Sequence, residues 1–286
     1  MEAPITREDF AVLFSNLCTD EEQINFFEYL TDVEQSSANY EAIASLYRVG
    51  IISGNSYYGH FSGSSDISAK TVKVMVSRLK NPEERVTFAP VLQNTSFALE
   101  YNCVKQNPEL PTGCEVTSLT SVLNHYGYGV DKLTMADVYL DKGNIGETDP
   151  SVAFIGSPYQ RSSYGCYAPV IENCADKFLA ENQSPLSTYR LEGVTFDNLL
   201  LEVEQGHPVI VWASIGMNQT YNSSVWNIDG KQITWIANEH CLVLYGFDME
   251  RNVVLVADPL VGNVEYDIDL FRTRYDELNK QAVVIK

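Results

Sequence analysis

Over the first third of the chain, apolar side chains recur three and four positions apart, the period of an amphipathic helix. In ITREDFAVLFSNL, residues 5–17, Phe10, Leu13, Phe14 and Leu17 share one face. Thr6 stands where an N-cap belongs, and Glu8 and Asp9 place negative charge in the first turn. NYEAIASLYRVGII, residues 39–52, repeats the spacing with Ile43, Leu46, Tyr47 and Ile51, and Gly50 supplies a stop. SGNSYYGHFSGSSD then reads as turn and loop, and ISAKTVKVMVSRL resumes a helix with Val72, Val76 and Leu79 apolar.

The stretch KNPEERVTFAPVLQN marks a change of pattern, and a linker is placed at residues 84–94. Beyond it, ALEYNCVKQ reads as a strand, and GCEVTSLTSVLNHYG as a helix burying Val116, Leu119, Val122, Leu123 and Tyr126, with Glu115 outside that stripe. The runs HPVIVWASI, ITWIANEHCLVLYGF, NVVLVADP and QAVVI are strand-like and separated by short turns, which predicts an antiparallel sheet. A helix packed on a later sheet gives an α+β class. The expected division is 1–83 helical, 84–94 linker and 95–286 the α+β domain.

Composition narrows the function classes. The chain has 286 residues, 45% hydrophobic, and a formal net charge of −19. Such an acidic surface repels phosphate backbones, so nucleic acid is not an expected partner. No run reaches the roughly 18 apolar residues of a membrane helix, so no membrane partner is expected. MEAPITRED lacks the layout of a secretory signal. The cysteines, Cys18, Cys103, Cys114, Cys166, Cys174 and Cys241, contain no CxxC pair, so a structural zinc site is not expected, while Cys166 and Cys174 could bridge locally. No cofactor motif is present.

Cys114 follows Pro111-Thr112-Gly113 at the start of a helix. A thiol attacks only as thiolate, and the unpaired N–H groups and positive dipole end of a helix N-terminus favour that anion. A base must accompany it. His125 lies on the same helix, roughly 16 Å away at 1.5 Å per residue, too far to serve. His60 sits in the first region, and His207 precedes a strand at a turn. His240 opens the strand EHCLVLYGF, and Asp258 closes the neighbouring strand NVVLVADP, so the two can meet and the carboxylate can fix the imidazole tautomer. Gln106, eight residues before Cys114, can offer its amide to an oxyanion beside the Cys114 N–H. Trp212, Trp226, Trp235, Tyr159 and Tyr164 are candidates for a groove wall as well as for core.

Two resemblances attach to these residues. Ala42, Ile43, Leu46, Gly50, Ile51, Gly54 and Phe61, with Ile5, Thr6, Arg7 and Glu8 as the tail of a preceding repeat, resemble the S-layer homology module. The second helix start departs from it, reading Ile67-Ser68-Ala69-Lys70. That resemblance implies a hold on cell-wall carbohydrate. The run Leu110-Pro111-Thr112-Gly113-Cys114-Glu115, with Leu123-Asn124-His125-Tyr126-Gly127, Gly165-Cys166-Tyr167-Ala168-Pro169, Glu239-His240-Cys241 and Ala257-Asp258-Pro259, resembles the cysteine peptidases related to the bacteriocin-processing, double-glycine peptidases. It spans about residues 95–286 and implies a papain-like fold. Cys114 is then nucleophile, His240 base, Asp258 orienting residue and Gln106 oxyanion donor. The membrane and ATPase parts of transporter-fused members are missing from this sequence.

The expected activity is therefore hydrolysis of peptide or related amide bonds in a peptide or protein substrate, outside the membrane of a Gram-positive-type bacterium or on its wall, with an export signal removed. The same residues suit a transpeptidase or amidase, and a non-catalytic wall- or peptide-binding protein is the alternative from another class.

Overall fold

The computed structural model describes residues 5–286 apart from 19, 20, 26, 57, 89 and 229. Residues 1–4, the start of the stretch inspected for a signal, lie outside the described residues. The chain divides into two compact units, Met1–Gln93 and Asn94–Lys286.

The first unit carries α1 (Arg7–Ser15), α2 (Tyr40–Arg48) and α3 (Ala69–Lys80). Thr6 caps α1 by accepting from the Asp9 N–H, and Ser68 caps α3 by accepting from the Thr71 N–H. Ile43, Leu46, Tyr47, Ile51 and Phe61 fill its core with Phe14 and Met75. Leu13 and Leu17, expected on the buried face of the first helix, are instead 63% exposed. α1 ends at Ser15 and only its Ala11–Phe14 side is covered. The expected linker is also corrected. Phe88 is buried against Phe27 and Tyr47, and its N–H donates to Asn25 Oδ1 at 2.8 Å. Phe88 therefore packs as part of the first unit, whose residues run to Gln93.

The second unit begins with β1 (Ser96–Ala98), α4 (Cys114–His125) and α5 (Lys132–Thr134), followed by a π turn. Next come β2 (Lys142–Gly143), β3 (Phe154–Ile155), α6 (Ala168–Glu181), β4 (Thr188–Arg190), α7 (Phe196–Glu204) and β5 (Val209–Ser214). The chain closes with β6 (Tyr221–Ile228), β7 (Lys231–Ala237), β8 (Glu239–Asp248), β9 (Val253–Asp258), β10 (Gly262–Asp267), α8 (Ile268–Glu277) and β11 (Ala282–Ile285). Strands run in the order β10-β9-β8-β5-β11-β4, with β1 paired to the far end of β8, and every pairing in this sheet is antiparallel. The architecture is α+β.

Two strand expectations change. ALEYNCVKQ is strand only up to Ala98. ITWIANEHCLVLYGF is two strands, because Asn238 adopts φ 64° and breaks the run between β7 and β8. Asparagine tolerates that left-handed conformation better than most residues.

Strand alternation sorts the sheet's side chains. Ile210, Trp212, Cys241, Val243 and Ala257 join α4 and α6 in one cluster. Their alternates, Val209, Val211, Leu242 and Leu244, are equally buried, and α7 and α8 contact β5 while α7 also contacts β8. Full burial of such side chains stabilises by roughly 1.5–3 kcal/mol each. The fit of α4 to β8 is set by a hydrogen bond, Ser118 Oγ donating to Cys241 O at 3.1 Å. That contact brings the mouth of α4 to the start of β8.

Candidate active site

Cys114 is the first residue of α4, behind a turn in which the Gly113 N–H donates to Leu110 O at 3.0 Å. Gly113 is held between Leu110 and Pro158, where a Cβ would come within 2.9 Å of Leu110 Cβ. The glycine therefore serves close packing of the turn.

His240 and Asp258 come together as the hairpin β8–β9 requires. The ladder pairs Val243 with Ala257 and Leu244 with Val256, so the start of one strand adjoins the end of the other. His240 Nε2 lies 2.8 Å from Asp258 Oδ1, and both side chains are 2% exposed. Asp258 also accepts from the Leu260 N–H at 2.8 Å and from the Tyr266 hydroxyl at 3.2 Å. Burial opposes its ionisation, yet the His240 hydrogen bond and charge, with those two donors, hold its carboxyl below the usual carboxylate range. The other imidazole nitrogen, Nδ1, has no hydrogen bond to any described residue.

Gln106 is buried beside the same strand end, its N–H donating to Pro259 O at 2.9 Å. Its side-chain amide donates to Leu110 O at 3.2 Å and Pro111 O at 3.0 Å, bracing the turn before Cys114. Both amide hydrogens are thereby occupied.

The sulfur has a different first partner from the one expected. Cys114 Sγ donates to Glu115 Oε2 at 3.3 Å, and no hydrogen bond joins it to His240 among the described residues. Alternation along β8 turns Glu239 and Cys241 toward α4 and His240 to the other face, and the Cys241 N–H, the link between them, is directed at the sulfur. Burial first, then the charges of Glu115, Glu239 and Cys241, push the thiol well above its ordinary value; the Cys241 N–H pulls weakly the other way. The lowered thiol expected from the helix terminus alone is thus overturned in this resting arrangement by desolvation and two adjacent carboxyls.

Sequence reasoning missed those carboxyls. Glu115, expected outside the buried stripe, is 0% exposed, with Oε1 accepting from the Cys166 N–H at 2.6 Å. Burial drives its pKa up to about 7, against the pull of its own N–H, the Cys166 N–H and the Cys114 thiol. Glu239 is raised well above the ordinary range, by burial first and then by Glu115. Gly165 lets the backbone press onto this pair. A Cβ there would lie 2.3 Å from Glu115 Oε1 and 3.2 Å from Glu239 Oε2. The signal available in the sequence was Glu239 itself, an acid at the head of an otherwise apolar strand.

The other candidates sort into core and wall. Trp212 is core, 0% exposed, with Nε1 donating to Cys166 O at 2.9 Å. Tyr164 packs on both Trp226 and Trp235, and Tyr167 stacks on Trp235 at 5.5 Å. Tyr159 is exposed and donates to Asp137 Oδ1. His207 bonds Glu202 at 2.9 Å, and His125 stacks on Tyr101. All six cysteines are free, so the local Cys166–Cys174 bridge that the spacing left open is not formed.

A cysteine at a helix mouth, an antiparallel sheet against that helix and a buried His–Asp pair at adjoining strand ends thus stand together in one α+β unit. The sequence profile of the peptidase C39-like family matches residues 98–283, and the chain belongs to that family. It is 29% identical over 184 residues to the uncharacterized protein YvpB of Bacillus subtilis (strain 168), covering 63% of this chain and 71% of YvpB. A crystal structure of a Bacillus anthracis protein assigned to the C39-like peptidases superposes with a TM-score of 0.60 at 28% identity, over 67% of this chain and 97% of that one.

Proposed function

We propose that the chain is a thiol hydrolase of peptide or related amide bonds, with Cys114 as nucleophile, His240 as base and Asp258 as the group that holds His240. The observation that carries this reading is the buried 2.8 Å contact between His240 Nε2 and Asp258 Oδ1. A carboxylate on Nε2 keeps the proton there and leaves Nδ1 as the acceptor, the tautomer a general base needs. His240 and Cys114 stand on opposite faces of β8 in this structure, so the reaction requires the strand end and the mouth of α4 to rearrange until Nδ1 meets the sulfur and takes its proton. The thiolate then attacks the carbonyl carbon. The tetrahedral oxyanion forms beside the Cys114 N–H at the positive end of α4. Gln106 completes that hole by releasing one of its two carbonyl contacts to donate. The imidazolium then protonates the leaving amine, and water, deprotonated by His240, releases the acyl group.

The test is turnover of a peptide substrate by the wild type, Cys114→Ala and His240→Ala. Each replacement should lower kcat/KM by about 10,000-fold or more, since members of such a unit are individually indispensable. Thermal unfolding should show the folds intact. Unchanged hydrolysis by the Cys114→Ala protein ends the proposal. A transpeptidase or amidase using the same residues is separated from a peptidase by analysing products with and without an added amine acceptor.

The first unit is carried into this reading as an anchor to cell-wall carbohydrate, which places the enzyme outside the cell. Its support is the S-layer-like run of Ala42, Ile43, Leu46, Gly50, Ile51, Gly54 and Phe61. Sedimentation with purified walls should require residues 1–93; equal sedimentation of a chain beginning at Asn94 excludes the anchor.

A further inference from the structure

Three acidic groups meet at the mouth of α4, and among the described residues no Lys or Arg acts on them. One ligand atom each from Cys114, Glu115 and Glu239 lies within 4.8 Å of the others, and all three residues are buried. Glu115 is committed on one oxygen to the Cys166 N–H and on the other to the Cys114 thiol. Glu239 is different. It is 7% exposed and its Oε1, shielded from solvent, has no hydrogen-bond partner. A buried carboxyl oxygen with no donor of its own, on a residue beside a thiol and a second carboxyl, costs free energy unless a proton or a cation satisfies it.

We propose that Cys114, Glu115 and Glu239 form a binding site for a thiophilic divalent cation, with zinc as the chemical match, and that the bound ion keeps the nucleophile in check. The donor set is one thiolate and two carboxylate oxygens, both accepted by Zn2+, with Zn–S about 2.3 Å and Zn–O about 2.0–2.2 Å. The present spacing needs only a small contraction onto the ion. A harder ion such as Mg2+ would not choose the sulfur. Three protein ligands leave a fourth position for water, and coordination releases the thiol proton to solvent. The sulfur lone pairs are then held by the metal and withheld from a carbonyl carbon. Binding is independent of the hydrolase reading; only its inhibitory consequence rests on that reading.

The experiment titrates the reduced full-length protein with Cd2+, following the ultraviolet thiolate-to-cadmium charge-transfer band, and then displaces it with Zn2+. One ion per chain is expected, and Cys114→Ser should abolish the band. Loss of even an outer-shell partner costs roughly 10–100-fold in metal affinity, so Glu239→Gln should weaken binding at least that much. Circular dichroism melts of both variants confirm that they fold. Zinc should also protect Cys114 from iodoacetamide in the wild type, with the modified residue mapped by mass spectrometry. A band that survives in Cys114→Ser, or an affinity unchanged in Glu239→Gln, overturns the site. Because these readouts need no substrate, they decide metal binding even for a chain that hydrolyses nothing.

Discussion

The thiol of Cys114 donates to the carboxylate of its own chain neighbour, Glu115, across 3.3 Å. That contact keeps the sulfur protonated, because the acceptor is itself acidic and buried and a second carboxyl, Glu239, adds to the penalty on a thiolate. Metal-free wild-type protein should therefore alkylate slowly at Cys114 at neutral pH. Replacing Glu239 with Gln removes a carboxyl whose ionisation raises the thiol. In alkaline solution, where that carboxyl is ionised, Cys114 modification should therefore speed up several-fold, in line with a modest fall in thiol pKa. Iodoacetamide labelling followed residue by residue reads this directly. A slower rate in the variant contradicts it.

Asp258 holds His240 through one oxygen and satisfies Leu260 and Tyr266 as well. Asp258→Ala should lower kcat/KM by roughly 100-fold or more by freeing the imidazole. It should also cost about 1–3 kcal/mol in stability, through buried donors left unpaired. Urea unfolding gives the second number. A variant that loses stability but keeps full turnover would show that Asp258 is structural only.

Stability should fall as pH rises through the range where the buried carboxyls ionise. Glu115 has a folded pKa of about 7 against an ordinary 4.5. Between those values the unfolded chain has lost a proton that the native state keeps, so the slope of stability with pH is negative. At roughly 1.4 kcal/mol per unit, the loss is on the order of 3 kcal/mol by neutral pH, and Glu239 extends the fall further upward. Asp258 works in the opposite sense, its contribution fading only as pH drops through its depressed folded value. Urea titrations at pH 5 and pH 7.5 should show a shallower loss in Glu239→Gln than in the wild type. Equal slopes would falsify the assignment of the buried pair as its cause.

Gly165→Ala should be destabilising although alanine is small. Its Cβ would stand 2.3 Å from Glu115 Oε1, forcing the carboxylate off the Cys166 N–H. A buried N–H and carboxylate left apart cost about 1–3 kcal/mol. Chemical denaturation of the variant measures it, and a melting curve matching the wild type refutes the close approach.

Much of this was legible along the chain because it is local or carried by nearest neighbours. The period of Val116, Leu119, Val122 and Leu123 specifies α4 with Cys114 at its mouth, and the antiparallel run of β8 into β9 across a short turn forces His240 and Asp258 to one end. The cap at Thr6 and the stop at Gly50 are equally short-range. The α+β architecture of the second unit follows from that pattern plus burial of its apolar faces.

Tertiary structure alone decided the environment of the sulfur. Nothing within a few residues of Glu115 says that its carboxylate will be buried; the Cys166 N–H that donates to it in the core comes from 51 positions away. Glu239 reaches the same place from a strand more than a hundred residues downstream, and Phe88 turned an apparent linker into core by finding Tyr47 and Phe27. Sequence determines which groups exist and how each turn or strand begins. Desolvation and charge crowding depend on distances between remote segments, and those exist only once the chain has packed.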